Sequence, residues 1–298
     1  MTDSSQRTWL TPLDLSLLVS VNAIWGVNLV AAKLGITEFP PIFFACLRFA
    51  VLAVVLVPVL RLFRGQMQNL LQAAFFSGAL GFALMYLGFK YTDDISKMAI
   101  ATQLGIPFST LLSIWLLGEQ VRWRRKLGIG LAFIGVAVVS FDPGALDHAF
   151  GLLLVTASQF VVALGTIYIK RLRNVTAWQL QAWLGITSAP LLLLMSLMLE
   201  QGQWQSVQQA TWVGWSALLF TAVASSLVAH TLMFHLIGKY PVTSVAPINV
   251  LSAIFSIACG IMWFGDKLTP RILLGGSIAL VGVVIVAMRD RRMVDTGT

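Results

Sequence analysis

The chain has 298 residues, of which 58% are apolar and only 11% charged, with a formal net charge of +8 and a mean hydropathy of +0.85. Soluble domains carry about 25% charged residues, so this composition argues against a water-facing surface and against a soluble all-helical protein. The basic residues lie in short gaps between apolar runs, where they act as topology signals and contacts for anionic lipid, not as a nucleic-acid surface.

A membrane-crossing helix takes roughly 20 mostly apolar residues. Such helices are predicted at 13–33, 42–61, 70–90, 95–117, 126–141, 150–170, 177–198, 212–237, 242–264 and 271–288, the fifth with an alternative start near Arg122. Arg7 precedes the first run, but so does Asp3, and Asp14 lies within it; the run reads as a helix and not as a cleaved leader. The gaps carry turn residues, among them Pro40-Pro41, Arg64-Gly65, Asp142-Pro143-Gly144, Gly202, Tyr240-Pro241 and Thr269-Pro270. Cys46 and Cys259 both fall inside apolar runs, without metal or disulfide spacing.

With a cytoplasmic N-terminus, about 14 of the 20 Lys and Arg residues fall on the inner side. They include Arg61, Arg64, Arg122, Arg124, Arg125, Lys126, Lys170, Arg171, Arg173 and Lys239. Both termini are therefore expected in the cytoplasm, at the inner membrane of a bacterium.

Sliding the chain by about 147 residues exposes an internal repeat. Leu117-Gly118-Glu119 falls on Phe264-Gly265-Asp266, Gly128 on Gly275, Ala132 on Ala279 and Gly135 on Gly282. The first acidic turn is followed by four basic residues and the second by two, as for turns on opposite faces of the membrane. Five helices per half require that inversion. The expected fold is an all-α integral membrane protein with ten transmembrane helices in two inverted five-helix repeats. Its parts are a tail over 1–12, a first repeat over 13–141, an extracytoplasmic linker over 142–149, a second repeat over 150–288 and a tail over 289–298. The matched small residues form stripes that serve either close packing within the chain or a weak homodimer.

Several pieces together resemble the EamA family of the drug/metabolite transporter superfamily. They are Trp25-Gly26-Val27-Asn28 with Lys33, Pro40-Pro41 before Arg48-Phe49, Pro107-Phe108 before Leu117-Gly118-Glu119, Gly165-Thr166 with Lys170-Arg171, Ala246-Pro247, and Gly265-Asp266-Lys267-Leu268. The resemblance spans nearly the whole chain and implies ten helices, cytoplasmic termini, a central cavity and the export of amino acids or other metabolites. Gln103 and Ala246-Pro247 are similar to the O-acetylserine/cysteine exporters. Val162, Ala253 and Asp266 depart from the family pattern, where Trp, Pro and Glu are usual.

Polar groups inside lipid-buried helices mark candidate substrate contacts. Arg48 is read either as a partner for a substrate carboxylate or as a structural arginine. Asn22, Trp25 and Asn28 lie roughly on one face of the first helix, where amides and an indole suit a zwitterion. Tyr86, Thr102, Gln103, Gln159, His230 and Asn249 complete the candidate set. Lys33 and Lys170, near helix ends, are read as anchors. Pro107 and Pro247 are candidate hinges. His230 and His235 do not share a helix face, so no metal site is expected, and no cofactor. No carboxylate occupies the middle of a predicted helix, which disfavours the carboxylate-driven cation/proton exchange of the small multidrug-resistance exporters. The function expected is export of small metabolites, most plausibly amino acids or related zwitterions, by alternating access and without enzymatic chemistry. The alternatives are multidrug or cation efflux and, more distantly, a membrane enzyme acting on lipid-linked substrates.

Overall fold

The computed structural model describes residues 10–92, 94–140, 146–240 and 245–288. Residues 1–9 of the predicted first tail, half of the predicted 142–149 linker, Pro241 and the tail over 289–298 lie outside these. The described chain is all-helical. We number its long helices α1 (Pro12–Glu38), α2 (Pro41–Leu56, extended by the single turn Val57–Val59), α3 (Met67–Lys90), α4 (Ile95–Leu117) and α5 (Trp123–Ser140). There follow α6 (Leu146–Lys170), α7 (Ala177–Leu199), α8 (Trp212–Leu219, Phe220–Ala229 and His230–Lys239 in unbroken succession), α9 (Ala246–Val250, then Leu251–Phe264) and α10 (Pro270–Ala287). A short helix, Gln203–Gln209, lies between α7 and α8.

Nine helices of the described residues are long and apolar enough to cross a membrane. Helix α5 is not among them, because its 18 residues include Arg124, Arg125 and Lys126 in the first turn. Large apolar side chains such as Trp115, Met198 and Trp212 point outward, as a lipid-facing surface requires.

Local chemistry sets the helix ends. The Thr11 hydroxyl caps α1 by accepting from the Asp14 amide, with Pro12 in the first turn. Thr269 and Pro270 do the same for α10. Thr176 and Gln179 form a reciprocal capping box on α7. Helices α4 and α9 both stop at a left-handed glycine, Gly118 at φ 68° and Gly265 at φ 69°. The next amide then folds back, Glu119 N to Ser113 O at 3.2 Å and Asp266 N to Gly260 O at 3.3 Å. The acidic turns matched in sequence thus have the same backbone geometry.

Helix α5 packs along α10, and α2 along α7. Helix α1 lies against α8 and α9, while α6 lies against α3 and α4. The small-residue stripes meet each other: a Cβ added to Gly128 would fall 2.8 Å from the Gly282 carbonyl oxygen, and one on Gly275 2.8 Å from the Gly135 carbonyl oxygen. Only glycine permits backbones this close, and in lipid such contact is what holds helices together. These stripes are therefore occupied inside the chain.

Helices α3 and α8 each contain a π-helical stretch, Ala74–Leu80 and Phe220–Ala229. The wider turn leaves backbone carbonyls to side chains: the Ala74 oxygen accepts from Ser188 Oγ, and the Thr221 oxygen from Ser226 Oγ. Polar staples join the helix ends. Asp14 Oδ2, near the start of α1, accepts from Tyr240 Oη and Lys239 Nζ at 2.6 Å each. Lys170 Nζ reaches Ser113 Oγ at 2.7 Å and Glu119 at 3.3 Å. Toward the other end, Glu38 holds the Thr211 amide, and Glu200 accepts from the Ile42 and Phe43 amides at the start of α2. Asp266 accepts from the Ser96 amide and hydroxyl.

Candidate functional site

Arg48 is buried on α2 with 2% of its surface exposed. It neither snorkels nor binds carbonyls. Its Nε and Nη2 donate to Ser226 Oγ at 3.1 and 2.8 Å, and its Nη1 donates to Tyr86 Oη at 3.0 Å. The guanidinium also lies over the Phe82 ring, 4.9 Å from its centroid. A guanidinium has five N–H donors, so these bonds leave others free, and among the described residues no carboxylate pairs with it. Tyr86 is held by ring contacts with Phe44, Phe82 and Phe89. The phenol and the Ser226 hydroxyl, itself bonded to Thr221 O, fix the guanidinium plane.

One helical turn beyond Ser226 on α8 stands His230. Its Nδ1 lies 2.8 Å from the Ser225 carbonyl oxygen, and its ring meets Trp25 of α1 edge-on, with centroids 5.3 Å apart. His235 is exposed and apart from it.

Helices α1 and α9 carry buried polar atoms that the protein leaves unsatisfied. Asn22 Oδ1, Trp25 Nε1, Asn28 Oδ1 and Asn249 Oδ1 are all buried without a hydrogen-bond partner. Asn22 Nδ2 donates to Leu18 O at 2.8 Å, which fixes the orientation of that amide. Helix α9 is joined to α1 by Ser256 Oγ donating to Gly26 O at 3.2 Å. It is joined to α4 by Gln103 Nε2 donating to Ser252 Oγ at 3.3 Å. Gln159 of α6 comes close to α4 as well: a Cβ on Gly105 would fall 3.0 Å from its Oε1.

The two prolines sit where their helices depart from regular α geometry. Helix α4 is broken between Thr102 and Gly105, and Pro107, having no N–H, cannot bond the Gln103 carbonyl; Ile106 N approaches that oxygen instead at 3.4 Å. Pro247 lies in the 3₁₀ turn Ala246–Val250 that opens α9. Each irregular stretch thus presents an amide side chain, Gln103 or Asn249.

The sequence candidates therefore divide. Trp25 and His230 touch directly, Gln103 reaches α9, and Arg48 and Tyr86 form a second cluster tied to His230 through α8. Thr102 is turned back on its own helix, bonding Ala99 O at 2.8 Å, and Gln159 Nε2 bonds its neighbour Ser158. Ser226, Ser252 and Phe82 were not foreseen; the position of Ser226 four residues before His230 is the one sequence signal that pointed to it. Lys33 is no interfacial anchor: it is buried and donates to the carbonyls of Phe89 and Thr92 at 2.7 and 2.8 Å.

The profile of the EamA-like transporter family matches residues 14–141 and matches again over 149–288. The chain belongs to this family. Among its relatives, a probable amino-acid metabolite efflux pump of Escherichia coli K12 is 24% identical over 95% of this chain and 98% of its own length. A protein of the same description from Salmonella typhimurium LT2 is 26% identical, covering 91% of this chain and 93% of its own. The uncharacterized transporter YvbV of Bacillus subtilis 168 is 27% identical, covering 94% and 92%. One chain solved by crystallography superposes with a TM-score of 0.61 at 14% identity, covering 93% of this chain and 96% of its own, which shows a shared fold. As an EamA member this is a multi-pass membrane transporter.

Proposed function

We propose that the chain exports small metabolites, amino acids and related zwitterions, by alternating access between two inverted five-helix halves. In this reading α5 is the tenth spanning helix, its basic first turn lying at the cytoplasmic surface with Trp123 against anionic lipid. Both termini are then cytoplasmic, at a bacterial inner membrane, and the chain works as a monomer without enzymatic chemistry. The inversion is supported by the exchange of packing partners, α1 with α8 and α9 against α6 with α3 and α4. It is supported also by the paired glycine caps and the two π-helical stretches.

The observation that carries the reading is the set of unsatisfied atoms on Asn22, Trp25, Asn28 and Asn249. An unpaired buried polar group costs about 1–3 kcal/mol. Four on two adjoining helices make sense where a polar solute supplies the missing partners. The curated relatives described as amino-acid metabolite efflux pumps support the same substrate class.

The test is counterflow in proteoliposomes. Vesicles loaded with an unlabelled neutral L-amino acid should accumulate the radiolabelled form transiently, while ethidium-like cations should not exchange. Exchange of the cations alone would overturn the reading in favour of drug efflux.

A further inference from the structure

Ser226, which holds Arg48, and His230 are four residues apart on α8 and so face the same side. The Ser225 carbonyl oxygen beside Nδ1 can only accept, so Nδ1 carries the hydrogen. Nε2 is then the lone-pair nitrogen, the one atom on which this ring can take another proton.

The charged groups near His230 are few. Helix α2 supplies Arg48, whose guanidinium is held by Ser226, four residues before His230 on α8. Helix α1 supplies Asp14, engaged by Lys239 and Tyr240 in its first turn, and Lys33, bound to the Phe89 and Thr92 carbonyls toward the other end. Helix α8 itself supplies exposed His235 and Lys239, and α7 carries no titratable side chain. Among the described residues no carboxylate pairs with Arg48 or His230. A second positive charge beside an unneutralised, buried guanidinium is unfavourable. A carboxylate resting on the free donors of Arg48 would remove that obstacle.

We propose that a carboxylate and a proton occupy this site as a pair: the carboxylate of a small substrate binds Arg48, and His230 Nε2 then takes a proton. The inference rests on the transport reading above and narrows it to carboxylate-bearing substrates, amino acids included. The proton binds and leaves on the same side as the substrate, so during export it moves outward with it, and the outward substrate gradient, not the inward proton gradient, drives the cycle. Coupling would then run through a histidine, in a chain whose helices lack a central carboxylate.

The full chain in liposomes tests this, with radiolabelled L-alanine, L-serine, L-cysteine and L-leucine as probes and an entrapped pH-sensitive dye. A gradient of a transported probe should move about one proton per substrate through the wild-type protein. In His230→Gln and His230→Asn, the protons moved per substrate carried should fall to near zero, each variant being read against its own substrate flux. In the wild type alone, the concentration for half-maximal counterflow should fall as pH is lowered. Net movement of a probe down its gradient in the wild type without proton movement would overturn the pairing but leave the transport reading intact. Undiminished proton movement in the His230 variants would also overturn it. Absence of counterflow for every probe would overturn the transport reading itself.

Discussion

Arg48 Nη2 donates to the Ser226 hydroxyl at 2.8 Å, and that bond ties α2 in the first half of the chain to α8 in the second. It also places a buried cation one turn from His230, which touches Trp25 of α1. The first prediction concerns this cation. Hydrogen bonds to charged groups contribute about 1.5–3 kcal/mol, so Arg48→Gln should weaken apparent affinity for amino acids roughly ten- to hundredfold in counterflow assays. Arg48→Lys keeps the charge but cannot hold Ser226 and Tyr86 together, and should fall between. Equal affinity in all three proteins would remove Arg48 from the substrate path.

Tyr86 and Ser226 fix the plane of Arg48, and in the proposed binding mode they act on the substrate through it. Tyr86→Phe removes one hydrogen bond to Arg48 and Ser226→Ala removes two; at about 1 kcal/mol each, the first should weaken counterflow affinity roughly fivefold and the second by more. Their combination should be less than additive, because both act on one guanidinium. Strict additivity in the double-variant cycle would contradict that.

The α5–α10 contact should be intolerant of side chains. Gly128 and Gly275 face backbone of the opposite helix at 2.8 Å from an added Cβ, whereas Gly130 has nothing within 4 Å. Gly128→Val and Gly275→Val should destabilise the protein by about 1–3 kcal/mol, read as a lower melting temperature in detergent. Gly130→Ala should leave it unchanged. Equal effects at all three positions would mean that the helices do not approach as described.

Asp94 predicts a pH dependence of stability. Its side chain caps α4 by accepting from the Lys97 amide at 3.0 Å. Burial pushes its carboxyl above the ordinary value and the nearby Asp266 charge adds to this, against the opposing pull of Lys97. The fold therefore favours the protonated form more than the unfolded chain does. This contribution is full below the ordinary carboxylate pKa and is lost as pH rises through the raised value. Asp94→Asn keeps a capping oxygen, and should flatten the decline in melting temperature as pH rises above about 4. An unaltered pH profile would contradict the assignment.

Much of this architecture was legible in the sequence, since long apolar runs and basic loops are the direct imprint of a bilayer. The Leu117-Gly118-Glu119 and Phe264-Gly265-Asp266 turns were legible because only glycine takes positive φ cheaply, and both glycines do so. The π-helical stretches were not, because they have the composition of ordinary helix and arise from packing. Ser226 was missed because its only sequence signal, a place four residues before His230, says nothing of its partner 178 positions away. The roles of Lys33 and Asp14 were hidden in the same way: residues near helix ends look interfacial, yet each is engaged by groups distant in sequence. Trp25 and Arg48 were singled out for their chemistry, and only coordinates brought the first to His230 and the second to Tyr86.

The proposed polar path, reached by turns from either side, is most directly tested by thiol labelling of Ser252→Cys in a Cys46→Ser, Cys259→Ser background. Ser252 lies on α9 within hydrogen-bond reach of Gln103 on α4. A membrane-impermeant reagent should modify the introduced thiol from either face of the vesicle, and a transported amino acid should slow that modification. Reaction from one face only, or equal rates with and without substrate, would contradict alternating access through this site.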